Sequence, residues 1–353
     1  MPGCRISYEP VQILVIPGIF HYVSREGFNA YMKYLLITLE YPPQVGGVAT
    51  YLEELVKSRE DQTRVLVLGK NDFFNFLWPK WVKSLFIILR EVKSFKPDFI
   101  EVSHVLPVGY IALMIKFFKR VTYIVYVHGL DVNMVIKGGN FLKKILLRIV
   151  LVQAYKIICN SEFTKSLLGG FNLKNHAVEV LYPQIEKLRE DEKKGIIIRA
   201  EAKRKELGLE NKKVLVSVGR LIRRKGFDAV IKCLAYLGDE YYYIVAGDGP
   251  KREELELLAQ EQGTGDRVIF AGRVENPYIY IALADVFIMP NQELDNGDVE
   301  GFGMVFLEAD MFDKPVIGGN SGGAPEAIKM VKRGVVVDAQ NIEEIVAAIK
   351  KFA

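Results

Sequence analysis

Cysteine, histidine and tryptophan are scarce, at three, four and two residues in a chain of 353. Cys4, Cys159 and Cys233 stand alone, without a CxxC pair or a Cys/His cluster at zinc spacing. This argues against a disulfide framework and a structural zinc, and fits a reducing cytoplasm. Uncharged stretches are also short. The longest, such as Pro10–Ser24 and Val102–Ile115, contain proline and histidine and fall below the roughly 18–20 apolar residues that a spanning helix needs. Residues 1–24 have neither a basic leading region nor a small-residue cleavage site, so no signal peptide is expected. No G-x-G-x-x-G and no G-x-x-x-x-G-K-[ST] occurs, which removes support from hydride-transfer and P-loop chemistry.

What is present is ordinary for a globular protein: half of the residues are hydrophobic and a quarter charged. The length allows two domains, each with its own core. The net charge of +4 is unevenly placed. Residues 32–195 carry 24 Lys/Arg against 16 Asp/Glu, and residues 196–353 carry 21 against 25. A basic first half suits an anionic neighbour; a solvated basic surface explains it equally well. No nucleic-acid partner is expected.

Short β-branched and aliphatic runs alternate with amphipathic segments almost throughout, the pattern of parallel sheets covered by helices on both faces. In the first half the expected strands are Tyr34–Thr38, Arg64–Leu68, Phe99–Val102, Thr122–Val127, Lys156–Cys159 and Val178–Leu181. In the second half they are Val214–Val218, Tyr242–Val245, Val268–Phe270, Val286–Met289, Pro315–Ile317 and Gly334–Val337. Gln184–Gly195 is charged, poor in apolar residues and the best linker. The expected fold is therefore α/β, with two doubly wound, Rossmann-like domains facing across a cleft: residues 32–195 and residues 196–353. Ligands in such sheets bind beyond the carboxyl ends of the strands. Residues 1–31 are an unassigned extension. Either Gln12–Ile16 adds an edge strand, or the first domain begins at Met32 and the preceding residues lie upstream of the true start.

Two carboxylates, Glu300 and Glu308, lie eight positions apart. With 28 glutamates in the chain, about two such pairs arise by chance, so the context carries the weight. Strand Val286–Met289 runs into an acidic loop, and Gly301 and Gly303 then open a helix. The amides of Phe302, Gly303, Met304 and Val305 would form an N-terminus suited to phosphate or sugar hydroxyls. Glu300 sits at its mouth and Glu308 one turn in, positioned to grip a diol. A helix-dipole carboxylate plus a surface glutamate is the plainer alternative. Arg220 and Lys225, in Gly-Arg-Leu-Ile-Arg-Arg-Lys-Gly, follow a strand end and could meet the charge developing on a departing diphosphate. Arg223 and Arg224 read as solvated.

Pro42-Pro-Gln-Val-Gly-Gly47 leads from the first strand into a helix, and Gly46 and Gly47 would let the backbone approach a phosphate or sugar. His128, followed by Gly129, ends a central strand and would face the cleft, with Asp131 available to orient it; a structural histidine is the alternative. Asn160–Thr164 resembles a helix cap, mainly structural. The loop Leu294–Asp298 lacks the histidines or oxygen ligands of a metal site.

Together these pieces resemble family 4 glycosyltransferases of the GT-B fold over roughly residues 32–350. Pro-Pro-x-x-Gly-Gly-Val at 42–48, His-Gly at 128–129 and Asn-Ser-Glu-Phe-Thr at 160–164 occur in order. Gly-Arg-Leu-x-x-x-Lys-Gly at 219–226, Gly-Asp-Gly-Pro at 247–250, Glu-x7-Glu at 300–308 and Pro-Val-Ile-Gly-Gly-x-Ser-Gly-Gly-Ala-Pro-Glu at 315–326 follow. The wording around Glu300 and Ser321 is most like the phosphatidylinositol mannosyltransferase branch.

The resemblance implies a retaining, metal-independent hexosyltransferase without a cofactor. Its substrates would be a GDP- or UDP-sugar, GDP-mannose first among them, and a lipid or glycan acceptor. It puts Arg220 and Lys225 on the donor diphosphate, Glu308 on the ribose, Glu300 on the transferred sugar and His128 near its reacting end. Gly46 and Gly47 would close over the phosphates, and Arg273 and Val274 would lie beside the base. An isomerase, an epimerase or a phosphorolytic enzyme on the same scaffold is the alternative.

Two departures stand out. Leu181–Ile185 replaces the usual Asn-Gly-Val/Ile-Asp turn, and the sequence ends just after the helix expected at Asn341–Phe352. Relatives usually continue into a helix that crosses back to the first domain, so less interdomain contact and freer domain motion are expected. A cytoplasmic protein is expected, peripheral at the inner membrane face through Trp78–Lys83 and Lys143–Arg148 of its basic domain.

Overall fold

The computed structural model describes residues 32–44, 46–57, 59, 62–69, 72, 82–139, 141–173 and 176–353. Residues 1–31, with the candidate strand Gln12–Ile16, and residues 78–81 of the tryptophan-rich segment lie outside the described residues.

The first sheet contains β1 (Tyr34–Thr38), β2 (Thr63–Val67), β3 (Phe99–Val102), β4 (Thr122–Val127), β5 (Lys156–Cys159) and β6 (Ala177–Val180). Its helices are α1 (Gly47–Lys57), α2 (Val82–Phe95), α3 (Val108–Lys119), α4 (Leu130–Gly138), α5 (Phe141–Gln153) and α6 (Glu162–Ser166). α7 (Glu190–Glu206) leads to the second sheet: β7 (Lys213–Val218), β8 (Tyr241–Ala246), β9 (Val268–Gly272), β10 (Val286–Met289), β11 (Val316–Gly319) and β12 (Gly334–Val337). Its helices are α8 (Phe227–Leu234), α9 (Arg252–Glu261), α10 (Pro277–Leu283), α11 (Met304–Met311), α12 (Ala324–Met330) and α13 (Ile342–Phe352).

Both sheets are wholly parallel, in the orders β2-β1-β3-β4-β5-β6 and β12-β11-β10-β7-β8-β9. Every expected strand forms within two residues of its expected ends. Burial explains why they were legible. β4, Thr-Tyr-Ile-Val-Tyr-Val, is buried from its second residue onward, as a strand covered on both faces must be. The edge strand β2 keeps all five residues at least partly exposed.

The expected linker differs from the structure. α7 begins at Glu190 and runs through the 195/196 boundary, packing on α10 of the second sheet. Its first turn is acidic and its last turn basic, which suits the helix dipole and explains why so charged a segment is helical.

The domains meet through an apolar cluster that joins Tyr51, Leu52 and Tyr126 to Phe302 and Met304, through polar bonds and through close backbone packing. Ser161 Oγ donates to the Gly301 carbonyl at 2.8 Å. The Glu326 carboxylate accepts from the amides of Glu162 (2.8 Å) and Phe163 (2.7 Å) and from the Tyr182 hydroxyl (3.0 Å). Asn133 Nδ2 donates to Glu293 Oε1 (2.9 Å) and the Gly297 carbonyl (3.0 Å), and Lys137 pairs with Glu293 at 2.7 Å. A Cβ on Gly301 would run into the His128 carbonyl oxygen. Gly301→Ala should therefore push the domains apart: small-angle scattering should show a larger radius of gyration, and an unchanged radius would contradict this contact.

Candidate functional site

The charged groups of the second domain collect at the carboxyl ends of β7 and β10. Arg223–Lys225 form a 3-10 turn that ends on Gly226, at φ 74°, and a Cβ there would strike the Pro290 carbonyl. Glycine is thus required both by the left-handed backbone and by the close approach. The turn consequently lies on the loop that carries Glu300. Lys225 Nζ and Arg224 Nη1 reach Glu300 Oε2 at 2.5 and 2.6 Å, and Asn291 Nδ2 donates to the same oxygen at 3.0 Å. Glu300 Oε1 has no partner among the described residues. Arg224 Nε also lies 2.9 Å from Asp298 Oδ1.

Arg224 is therefore not the solvated residue expected. Its side chain is 16% exposed and tied to two carboxylates. Asn291 and Asp298 were likewise absent from the sequence-based site. Asp298 belongs to the loop weighed as a metal site, and its carboxylate is engaged by Arg224 instead. Among the described residues no group of three or more His, Cys, Asp or Glu could hold a metal ion.

Electrostatics separates the two glutamates. Burial alone would raise the Glu300 carboxyl, but the charges and hydrogen bonds of Lys225 and Arg224 outweigh it and bring its pKa down to about 2. Burial lowers the Lys225 ammonium against the opposing pull of Glu300. Glu308, on α11, accepts no hydrogen bond from the described residues. Burial raises its pKa to about 7, opposed only by the charge of Lys225.

Lys225, Glu300 and Glu308 are thus brought together. Arg220 stands apart from this cluster: it is exposed, with no side-chain partner among the described residues, although Gly219 before it lies beside the Lys225 stem. The loop 247–250 explains how Arg220 is held. Leu221 N donates to the Asp248 carbonyl and Lys251 N to the Leu221 carbonyl, while Gly247 and Gly249 press on Gly219 and Leu221 where a Cβ would collide. A second glycine-rich loop supports Glu300. Gly323 N donates to the Glu300 carbonyl at 2.9 Å, and Gly319 and Gly322 lie against Asn291 and Glu300.

Gly303, at φ 98°, precedes α11 as expected. The side chains of Phe302 and Met304 are buried, Phe302 against the Tyr182 ring, so at these positions only the backbone is left for a ligand. Val305 is half-buried. Arg273 and Val274 follow β9, two strands lateral to β7, with Arg273 exposed.

On the first domain, α1 opens at Gly47, where nothing lies within 4 Å of a built Cβ; Gly46 is half-buried near Glu40. His128 ends β4 opposite Gly301. Its ring meets the Tyr51 ring edge-on at 5.4 Å, and Nε2 has no partner. Burial, then the charge of His104, lowers its pKa to about 3, so it is neutral at pH 7. Asp131 does not orient His128. Its carboxylate accepts from the amides of Val105 (2.8 Å) and Val132 (3.0 Å), and the histidine it faces electrostatically is His104. His104 Nδ1 lies 2.7 Å from Ser103 Oγ, and its ring is 6.2 Å from that of His128. This second cleft histidine had no motif to mark it. Ser161 caps α6 by accepting from Thr164 N, as the sequence suggested, and the same residue also clasps the second domain.

Comparison with known proteins follows this division. The model for Glycosyltransferase Family 4 matches residues 45–187, and that for Glycosyl transferases group 1 matches residues 199–353. A GDP-mannose-dependent alpha-(1-6)-phosphatidylinositol monomannoside mannosyltransferase of Mycobacterium tuberculosis is 41% identical over 155 residues, 42% of this chain and 40% of the relative's length. The chain thus spans less than half of that relative. A GDP-mannose-dependent monoacylated alpha-(1-6)-phosphatidylinositol monomannoside mannosyltransferase of Corynebacterium glutamicum is 26% identical over 345 residues, covering 90% of this chain and 87% of its own. Among solved structures, Anabaena HepE in complex with UDP and glucose superimposes with a TM-score of 0.74 at 18% identity, covering 91% of this chain and 89% of its own. Sucrose-phosphate synthase from Thermosynechococcus elongatus does so at 0.71 and 18%, covering 90% and 89%. These likenesses establish the two-domain GT-B fold, and the two matched models in tandem place the chain in the family 4 glycosyltransferases.

Proposed function

We propose that this protein transfers a hexose from a nucleotide sugar to a lipid or glycan acceptor with retention of configuration and without a metal ion. Mannose from GDP-mannose is the first donor to test, the donor named for both mannosyltransferase relatives. The observation that carries the reading is the cluster of Lys225, Glu300 and Glu308 on the cleft, opposite a neutral His128, with the exposed Arg220 standing one residue past Gly219, which lies beside the Lys225 stem.

Breaking the bond between the sugar C1 and the diphosphate oxygen leaves negative charge on the departing group. Fixed cations stabilise that charge more than they stabilise the bound donor. Arg220 supplies a fork to the phosphate oxygens and Lys225 a point charge. Glu300 Oε1 is open to hydroxyls of the transferred sugar, while Oε2 is held by protein donors. Glu308 takes the ribose diol, and the amides leading into α11, from Phe302 to Val305, take phosphate or sugar oxygens. The unpartnered His128 nitrogen meets the reacting end of the sugar. Gly46 and Gly47 cover the phosphates, and Val274 with Arg273 borders the base.

The acceptor is proposed to come from a membrane. α5 buries Leu147, Val150 and Leu151 but exposes Phe141 (76%) and Leu142 (67%) beside Lys143, Lys144 and Arg148. α3, which packs on it, exposes Phe117 (67%) and Phe118 (69%) next to Lys119. Exposed large apolar side chains interleaved with cations suit the interface of an anionic bilayer. No helix among the described residues is long and apolar enough to cross one; the proposal is peripheral contact at the cytoplasmic face.

Three outcomes are expected. Arg220→Ala should weaken GDP or UDP binding by calorimetry about tenfold to a hundredfold, the loss of charge-assisted hydrogen bonds worth about 1.5–3 kcal/mol; unchanged affinity would remove Arg220 from the site. A ribose diol donates to the ionised Glu308 carboxylate, so the nucleotide should bind more tightly as pH rises through about 7. Glu308→Gln should flatten that dependence, and a slope that survives it would assign the titration elsewhere. Wild-type protein should float with anionic liposomes and not with neutral ones. Replacing Phe117, Phe118, Phe141 and Leu142 by serine should return it to the soluble fraction. Concentration-dependent dimerisation lost in the same variant, without liposome binding, would point to a protein partner instead.

A further inference from the structure

Resting on that reading of the diphosphate site, we propose that Arg224 is a positioning residue: it keeps the Glu300 carboxylate compensated so that Lys225 is released to the diphosphate of the donor.

A single oxygen, Glu300 Oε2, receives Lys225 at 2.5 Å, Arg224 at 2.6 Å and Asn291 at 3.0 Å. The two cations are not equally free to leave. Arg224 lies between Glu300 and Asp298; its Nε is 2.9 Å from Asp298 Oδ1, an ion-pair distance without hydrogen-bond geometry, so its firm side-chain bond is the one to Glu300. Its backbone carbonyl accepts from Gln292 N at 2.8 Å, and the neighbouring Arg223 carbonyl accepts from Gln292 Nε2 at 3.0 Å. The guanidinium and the turn that bears it are therefore fastened to the loop of residues 290–300. Among the described residues Lys225 has Glu300 as its one side-chain partner, and it has a flexible four-carbon stem. The Lys225 stem also lies beside Gly219, directly before the exposed Arg220.

An entering diphosphate thus meets one cation already free, Arg220, and one that must be drawn from a carboxylate. When Lys225 turns to the phosphates, Glu300 keeps Arg224 and Asn291 and stays ionised and oriented, with Oε1 still presented to the sugar. Without Arg224 the buried carboxylate would have Lys225 as its sole counter-ion. Removing Lys225 would then leave a desolvated charge unpaired, a strongly unfavourable state, so the lysine would be withheld from the donor.

This hand-over predicts a particular non-additivity in nucleotide binding. GDP or UDP, whichever wild type binds more tightly, is titrated calorimetrically into the full chain of four proteins: wild type, Arg224→Met, Glu300→Gln and the double variant. Arg224→Met should bind about tenfold more weakly than wild type. Glu300→Gln should bind at least as tightly as wild type, because its lysine is already free. The double variant should recover the affinity of Glu300→Gln. Arg224→Lys, the milder replacement should the methionine variant fail to fold, should lose less affinity and be rescued by Glu300→Gln in the same way. A double variant as weak as Arg224→Met would overturn the proposal, since Arg224 would then touch the diphosphate or merely brace the loop. Binding that falls with Arg220→Ala yet ignores Arg224→Met would also overturn it, while leaving the diphosphate site standing. Failure of wild type to bind either nucleotide would sink both.

Discussion

A carboxylate removed from water must be given counter-charge, and the half of the cleft formed by the second domain is organised around that requirement at Glu300. Its side chain is only 13% exposed. Without Lys225 and Arg224 burial would raise its pKa and favour the protonated, uncharged form. Meeting the requirement calls for a lysine and an arginine from the turn after β7 and an asparagine from the loop after β10. Those two segments must therefore lie in contact, which Gly226 allows by resting on the Pro290 carbonyl. Glu308, one turn along α11 and without such partners, goes the opposite way and holds its proton up to about 7. Two identical side chains eight positions apart thus acquire different charge states from their surroundings alone.

The same economy of contact governs the meeting of the domains. Gly301 touches the His128 backbone, and Gly297 the backbone of Asn133 and Met134. Glycine at these points brings Glu300 close to the end of β4. Ser161 and Glu326 then secure the arrangement from either side: a first-domain hydroxyl bonds a second-domain carbonyl, and a second-domain carboxylate bonds first-domain amides. These polar bonds flank an apolar contact, in which Tyr51 and Tyr126 of the first domain share one buried cluster with Phe302 and Met304 of the second.

The alternation of β-branched runs with amphipathic segments was enough to read both sheets. A parallel strand covered on both faces must be apolar at nearly every position, and that property is local. The helix ends at α6 and α13 were equally local, since Ser161 and Asn341 accept from amides three residues on. His128 stands directly after β4, whereas Lys225, Glu300 and Glu308 lie in the turn, loop and helix that follow β7 and β10, and were marked by their motifs. The glycine-rich motifs at 247–250 and 318–323 were visible as motifs only. Their physical purpose, to let backbone press on Arg220–Leu221 and on Asn291–Glu300, depends on which loops become neighbours.

By itself the sequence therefore determined the two-sheet architecture, because hydrophobic periodicity is a property of neighbouring residues. Only the tertiary structure decided which charges pair. Arg223, Arg224 and Lys225 form one run of cations in the sequence, yet one is exposed and two are half-buried and paired with Glu300. Asp131 lies three residues from His128 but serves the Val105 amide and His104. The charged stretch after Glu190 became a helix of the second domain, not a linker. In each case the outcome was set by a partner far along the chain, and the strength of an ionic contact depends on distance and burial in space, neither of which sequence spacing conveys.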